Sequence, residues 1–142
     1  MNNTPRWFFV LLFAGITGCN DEGLVAPPTT LIKPTLQSIQ AVVFNNCSTP
    51  SCHGAGGKGG LILIEGQSYG QLVNQQSIGD GDHSPKFYRI KPFSVDSSFL
   101  YIKLTNPHSP SQGDRMPQTS SPLPQNVIDA IRQWIGQGAK NN

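Results

Sequence analysis

The sequence predicts a small, mainly α domain in which short helices are joined by long loops. Three observations carry that prediction. Leu36, Ile39, Gln40, Val43 and Phe44 recur at the spacing of one helical face, and Leu123, Val127, Ile128, Ile131, Trp134 and Ile135 do so again near the end of the chain. Two weaker helical stretches lie between them, at Ser68–Asn74 and Phe99–Leu104. The 142 residues include 15 Gly and 12 Pro, and only 13% are charged, against about a quarter in an average domain, so much of the chain must be loop. That length allows one domain with a small apolar core, and small cores often need a disulfide, a metal or a bound cofactor.

The first eighteen residues read as a leader rather than as fold. Arg6 is a short positive segment, and Trp7 to Ala14 begin an apolar run of about ten residues, too short to span a bilayer. Ile16-Thr17-Gly18-Cys19 then resembles a bacterial lipobox, whose cysteine is lipidated and becomes the mature N-terminus. The plainer alternative is an ordinary signal peptide with an incidental cysteine. Acyl chains on Cys19 would tether the protein to a membrane without spanning it. The expected location is therefore the cell envelope or periplasm. Residues 19–34, with Pro27, Pro28 and Pro34, read as a tether, and 35–142 as the domain.

Pro34 suits the first turn of the first helix and Asn45-Asn46 its end, with Cys47 following at once. Gly54 to Gly60 is a glycine loop; it fails as a phosphate cradle because Lys58 is not followed by Ser or Thr. Leu61-Ile62-Leu63-Ile64 reads as extended. Tyr69, Leu72 and Val73 are expected inward on a short helix. Gln75–Pro85 is polar and turn-rich, and Phe87–Pro92 is extended, carrying Arg89 and Lys91. Asp96-Ser97-Ser98 can cap a helix burying Phe99, Leu100, Ile102 and Leu104, which stops before Asn106-Pro107. Residues 108–124 form a Pro/Ser/Gly loop around Arg115-Met116-Pro117. The last helix begins at Asn126 and ends at Gly136 and Gly138.

Cys47-Ser48-Thr49-Pro50-Ser51-Cys52-His53 concentrates the chemistry. Covalent haem attachment needs two thiols within reach of the ring and an imidazole held at the iron, and a histidine directly after the second cysteine meets that need. The usual attachment sequence has two residues between the cysteines; this one has four. If Cys19 carries lipid, Cys47 and Cys52 remain as a pair. A methionine thioether suits the opposite face of the iron, and Met116 is the one methionine beyond the leader. Other readings stay open. Cys47 and Cys52 can close a disulfide in an exported protein. Zinc needs a fourth ligand, for which His83 and His108 lack paired spacing. Either histidine can replace Met116 as distal ligand. Arg89, Lys91 and Arg115 suit haem propionates or a solvated face, and Trp134 suits the core. The net charge of +2 points to no nucleic-acid partner, and no nucleophile or acid/base constellation points to an enzyme.

The order of these features resembles a known family. It comprises the N-terminal helix, Cys-x4-Cys-His-Gly, the glycine loop, Leu-x-Leu, the short helix with Tyr69 and Leu72-Val73-Asn74, and Arg89-Ile90 with Pro92. Ser98-x-Leu100, Lys103-Leu104, Arg115-Met116-Pro117 and Ile131-x-x-Trp134-Ile135-x-x-Gly138-Ala139 follow. Over roughly residues 36 to 139 it is similar to the class I-type monohaem cytochrome c domains of exported planctomycete and myxobacterial lipoproteins. The resemblance implies a cytochrome c-like domain with loops wrapped around a haem and its first and last helices crossing. It implies haem c, with its iron, carried by Cys47 and Cys52, His53 as proximal and Met116 as distal ligand. The expected function is single-electron transfer to a redox partner protein that the sequence does not identify. The alternatives are a haem-free, disulfide-stapled lipoprotein acting as a binding module, and a haem protein with an open distal site.

Overall fold

In the computed structural model, residues 31–78, 87–105, 112–118 and 121–142 are described. The expected leader, residues 1–18, and Cys19, His83 and His108 lie outside them. The chain is mainly helical. Helix α1 runs continuously over 36–47 as an α turn Leu36–Ile39, a π-helical turn Gln40–Phe44 and a final α turn Asn45–Cys47. After a 3-10 turn at Lys58–Gly60, three more α-helices follow among the described residues: α2, Ser68–Leu72; α3, Phe99–Thr105; and α4, Gln125–Gly136. Among the described residues, extended segments meet only through isolated bridges, Val73 with Ile90, Gln76 with Tyr88, Tyr88 with Ser98 and Lys91 with Ser94. Among the described residues no helix is long and apolar enough to cross a membrane.

The apolar stripe of α1 is inside: Leu36, Ile39, Gln40, Val43 and Phe44 are all buried. Two details of its ends differ from expectation. Pro34 precedes the helix and Thr35 caps it, its hydroxyl accepting from the Ser38 amide at 3.3 Å. The helix also runs on past Asn45 and Asn46, because both side chains are used within it. Asn46 Nδ2 donates to the Val42 carbonyl at 3.0 Å, and Asn45 Oδ1 accepts from Gln40 at 2.8 Å. Cys47 is therefore the last residue of α1 rather than the first beyond it.

Helix α4 buries Val127, Ile128, Ile131, Trp134 and Ile135 as its periodicity predicts, and it packs against both α1 and α3. Trp134 is 1% exposed and its indole N–H donates to the Lys140 carbonyl at 2.8 Å, which makes it a core residue with its one polar atom satisfied. Asn142 returns to the start of α1. Its carbonyl accepts from the Gln37 amide at 2.8 Å and its Oδ1 from the Leu36 amide at 3.2 Å, satisfying donors that a helix start leaves open. Helices α2 and α3 are short and add Leu72, Ile102 and Leu104 to the interior. Ser98 does not cap α3 with its hydroxyl. That group is fully buried and donates to Ser94 O at 2.7 Å, tying down the turn before the helix.

Candidate functional site

The four residues between the cysteines fold into a turn. Thr49-Pro50-Ser51-Cys52 closes with the Cys52 amide on the Thr49 carbonyl at 3.0 Å, with proline at the position that favours its fixed φ. The His53 amide then reaches back to the Cys47 carbonyl, also at 3.0 Å, so the end of α1 and the second cysteine are drawn together. Gly54 completes the loop with its amide on Thr49 O at 3.0 Å. A Cβ at Gly54 would lie 2.8 Å from both the Ser48 and Thr49 carbonyl oxygens, so no other residue fits without moving backbone.

The segment 61–64 is an extended strap that holds His53 at two points. The Leu63 amide donates to the His53 carbonyl at 2.8 Å, and His53 Nδ1 lies 3.2 Å from the Leu61 carbonyl oxygen. A carbonyl only accepts, so this contact is a hydrogen bond from an Nδ1–H, and in the neutral ring that leaves the lone pair on Nε2. Behind the strap, Gln40 Nε2 donates to the Leu63 carbonyl at 2.8 Å, and Ser68 Oγ donates to Gln40 Oε1 at 2.6 Å.

Cys47 and Cys52 are free thiols with different surroundings. Cys47 is half-buried against the core, and burial, reinforced by the nearby Cys52, pushes its pKa up. Cys52 is exposed, and hydrogen bonds from Thr49 and then Ser51 bring its pKa down. Among the described residues no group of three His, Cys, Asp or Glu side chains converges on one point.

Met116 sits beyond the end of α3, its amide donating to the Lys103 carbonyl at 2.8 Å. It packs half-buried against the same hydrophobic core as Cys47, Leu61, Tyr69 and Tyr101. Core packing is what the Met116 loop and the Cys/His loop have in common; among the described residues no hydrogen bond joins Met116 to that loop. The surface hollow lined by Val95, Asp129, Arg132, Gln133 and Gly136 contains none of the expected site residues.

Arg89 corrects one sequence expectation. It is not on a solvated face but 7% exposed, donating to Gly60 O at 2.7 Å and Gln71 O at 2.9 Å. Burial lowers its pKa from the usual guanidinium value. It clamps the glycine loop to the C-terminal end of α2. Lys91 is exposed, its ammonium 5.6 Å from the Tyr88 ring centre, and Arg115 donates to the Met116 carbonyl at 3.2 Å. Sequence reasoning assigned no role to Gln40 or Ser68. The one signal was a glutamine standing in an otherwise apolar helical stripe.

Compared with known protein families, curated proteins and solved structures, this chain matches none.

Proposed function

We propose that this protein is an exported, lipid-anchored haem protein that carries single electrons and performs no substrate chemistry. Cys47 and Cys52 would hold the haem and His53 and Met116 would ligate its iron, while Cys19 would bear the lipid. The observation that carries the reading is the Leu61 carbonyl oxygen set against His53 Nδ1. A metal-ligating histidine needs a free ring nitrogen on one side and a hydrogen-bond acceptor for the other N–H, which fixes the ring and raises its basicity. The Leu61 carbonyl at 3.2 Å from Nδ1 supplies that acceptor and leaves Nε2 available.

The other residues fit the same group. Each thiol would form one S–C bond by adding S–H across a vinyl double bond, with the hydrogen passing to the neighbouring carbon. No oxidant or reductant is consumed. The Pro50 turn answers the four-residue spacer, since it shortens the path between the two cysteines. Gly54 lets the loop close beside the histidine without a side chain in the way. Arg89 meets no carboxylate among the described residues, and a buried guanidinium suits a propionate. Met116, a soft uncharged donor, would complete the ligation and favour the reduced state relative to a second histidine. When bound, haem supplies a reversible one-electron couple. The chain's part is to hold the two ligands, limit water and set the charge nearby.

Expression of the full chain with a cytochrome maturation system tests the proposal. A pigment that survives acid–acetone extraction is expected, together with a mass increase of one haem on the peptide containing Cys47 and Cys52. Colourless protein with a Cys47–Cys52 disulfide would overturn it and leave the haem-free binding module as the better reading.

A further inference from the structure

Gln40 is a buried polar residue in the only π-helical turn among the described residues. The wider turn lets the Asn45 amide reach back five residues to the Gln40 carbonyl. The side chain is 4% exposed, and every polar atom of its amide is engaged. Nε2 donates to Asn45 Oδ1 and to the Leu63 carbonyl, both at 2.8 Å, and Oε1 accepts from Ser68 Oγ at 2.6 Å. Three separate pieces of chain, α1, the strap and α2, therefore meet on one amide. The orientation of that amide is settled by its partners, because Leu63 O can only accept. Burying an amide costs free energy that an apolar residue would avoid, and Gln40's neighbours on this face are all apolar.

The strap it grips is the one that grips His53. Leu63 receives Gln40 on its carbonyl and gives its own amide to the His53 carbonyl at 2.8 Å, and two residues earlier Leu61 O accepts from His53 Nδ1 at 3.2 Å. We propose that Gln40 is a positioning residue for His53: through the 61–63 strap it fixes the Leu61 carbonyl on Nδ1 and so sets the orientation of the imidazole. The electronic consequence rests on the ligand role proposed above for His53; the geometric one does not. A loosened Leu61 contact makes the ring a weaker donor at Nε2, which stabilises the reduced over the oxidised iron.

The test uses the full chain with and without haem. In the haem-free protein, Gln40→Leu is expected to lower the solvent-exchange protection of the His53 Nδ1–H, followed by nitrogen-15 NMR, by about tenfold. Ser68→Ala, which keeps Gln40 but frees its Oε1, lowers it by less and serves where Gln40→Leu does not fold. Val127→Ala, a core truncation on α4, controls for general loosening and leaves the protection unchanged. In the haem-loaded protein Gln40→Leu raises the midpoint potential. Unchanged Nδ1–H protection in Gln40→Leu, or in Ser68→Ala where that variant stands in, overturns the proposal. So does an equal fall in Val127→Ala. Failure to take up haem would remove the proposed function, while the proton measurement would still decide the role of Gln40.

Discussion

The Cys/His loop and the Met116 loop are held by different kinds of bond. Around His53 the work is done by backbone groups close in sequence: Cys52 on Thr49, His53 on Cys47, Gly54 on Thr49, and Leu63 on His53. Behind them stands the buried amide of Gln40. The Met116 loop is clasped by a side chain instead. Lys103, at the end of α3, donates from its ammonium to the Gln112 carbonyl at 2.9 Å and to the Asp114 carbonyl, while its own carbonyl takes the Met116 amide. One expected ligand is thus built in by local chain geometry. The other is held by side-chain donors, Lys103 and also Arg115 on the Met116 carbonyl, at the edge of the core. The difference teaches where rigidity is expected and where a ligand can be exchanged.

The largest effect should come from removing the two proposed ligands in turn. His53→Ala is expected to lose six-coordinate iron ligation altogether, whereas Met116→Ala keeps the covalently held pigment and loses only the weak far-red band of iron–thioether ligation. Optical spectra of both variants, with carbon monoxide added to the reduced forms, read the contrast. Slow carbon monoxide binding in Met116→Ala would show that the second ligand lies elsewhere.

Next come two glycines, one in each loop. Gly54→Ala drives a methyl against two backbone oxygens at 2.8 Å and should cost about 2–3 kcal/mol. Gly113→Ala has room, with Lys103 Nζ 3.5 Å away, and is opposed only by its φ of +74°, for about 1 kcal/mol. Chemical denaturation of the haem-free protein gives both numbers. Equal losses would mean that the two loops are not held differently.

Lys103→Met keeps a side chain of similar length but removes the ammonium that forms the clasp and lies 5.9 Å from the Phe99 ring centre. It should cost about 1 kcal/mol in global stability. Displacement of Met116 by added imidazole should become faster while the optical spectrum at rest stays the same. The equivalent loosening of the His53 loop, through Gln40→Leu, should leave that rate alone.

The smallest effect concerns the thiols of the reduced, haem-free protein. Cys47 has a raised pKa, so its contribution to stability is complete below the unfolded value and is lost as pH rises through the folded one. Cys52 has a lowered pKa, so its contribution is present above the unfolded value and is lost as pH falls through the folded one. The two oppose each other, and stability should change little with pH on their account. Reactivity should separate them. Iodoacetamide is expected to label Cys52 before Cys47 near neutral pH, with the gap narrowing at alkaline pH, as read by peptide mass spectrometry.

Much of the frame was legible in the sequence. The stripe from Leu36 to Phe44 and that from Val127 to Ile135 are both buried, and α4 ends at Gly136, where its glycines were expected to end it. These follow from periodicity and from residues whose backbone preferences act locally. The ends of α1 were less legible, because the asparagines that ordinarily stop a helix are here consumed by bonds to Val42 and Gln40. Arg89 was not legible at all: nothing in its neighbours along the chain says that its donors go to Gly60 and Gln71.

By itself the sequence determined the helical stripes and the pair of cysteines ahead of a histidine. Each of these depends on residues within a few positions of one another. Only the tertiary structure decided which ring nitrogen of His53 faces a carbonyl oxygen, that Gln40 stands behind the strap, and that the Met116 amide bonds to Lys103. Those contacts join residues 8, 23 and 13 positions apart in the chain. They exist only once burial has excluded water and left each polar group to find its partner across the fold.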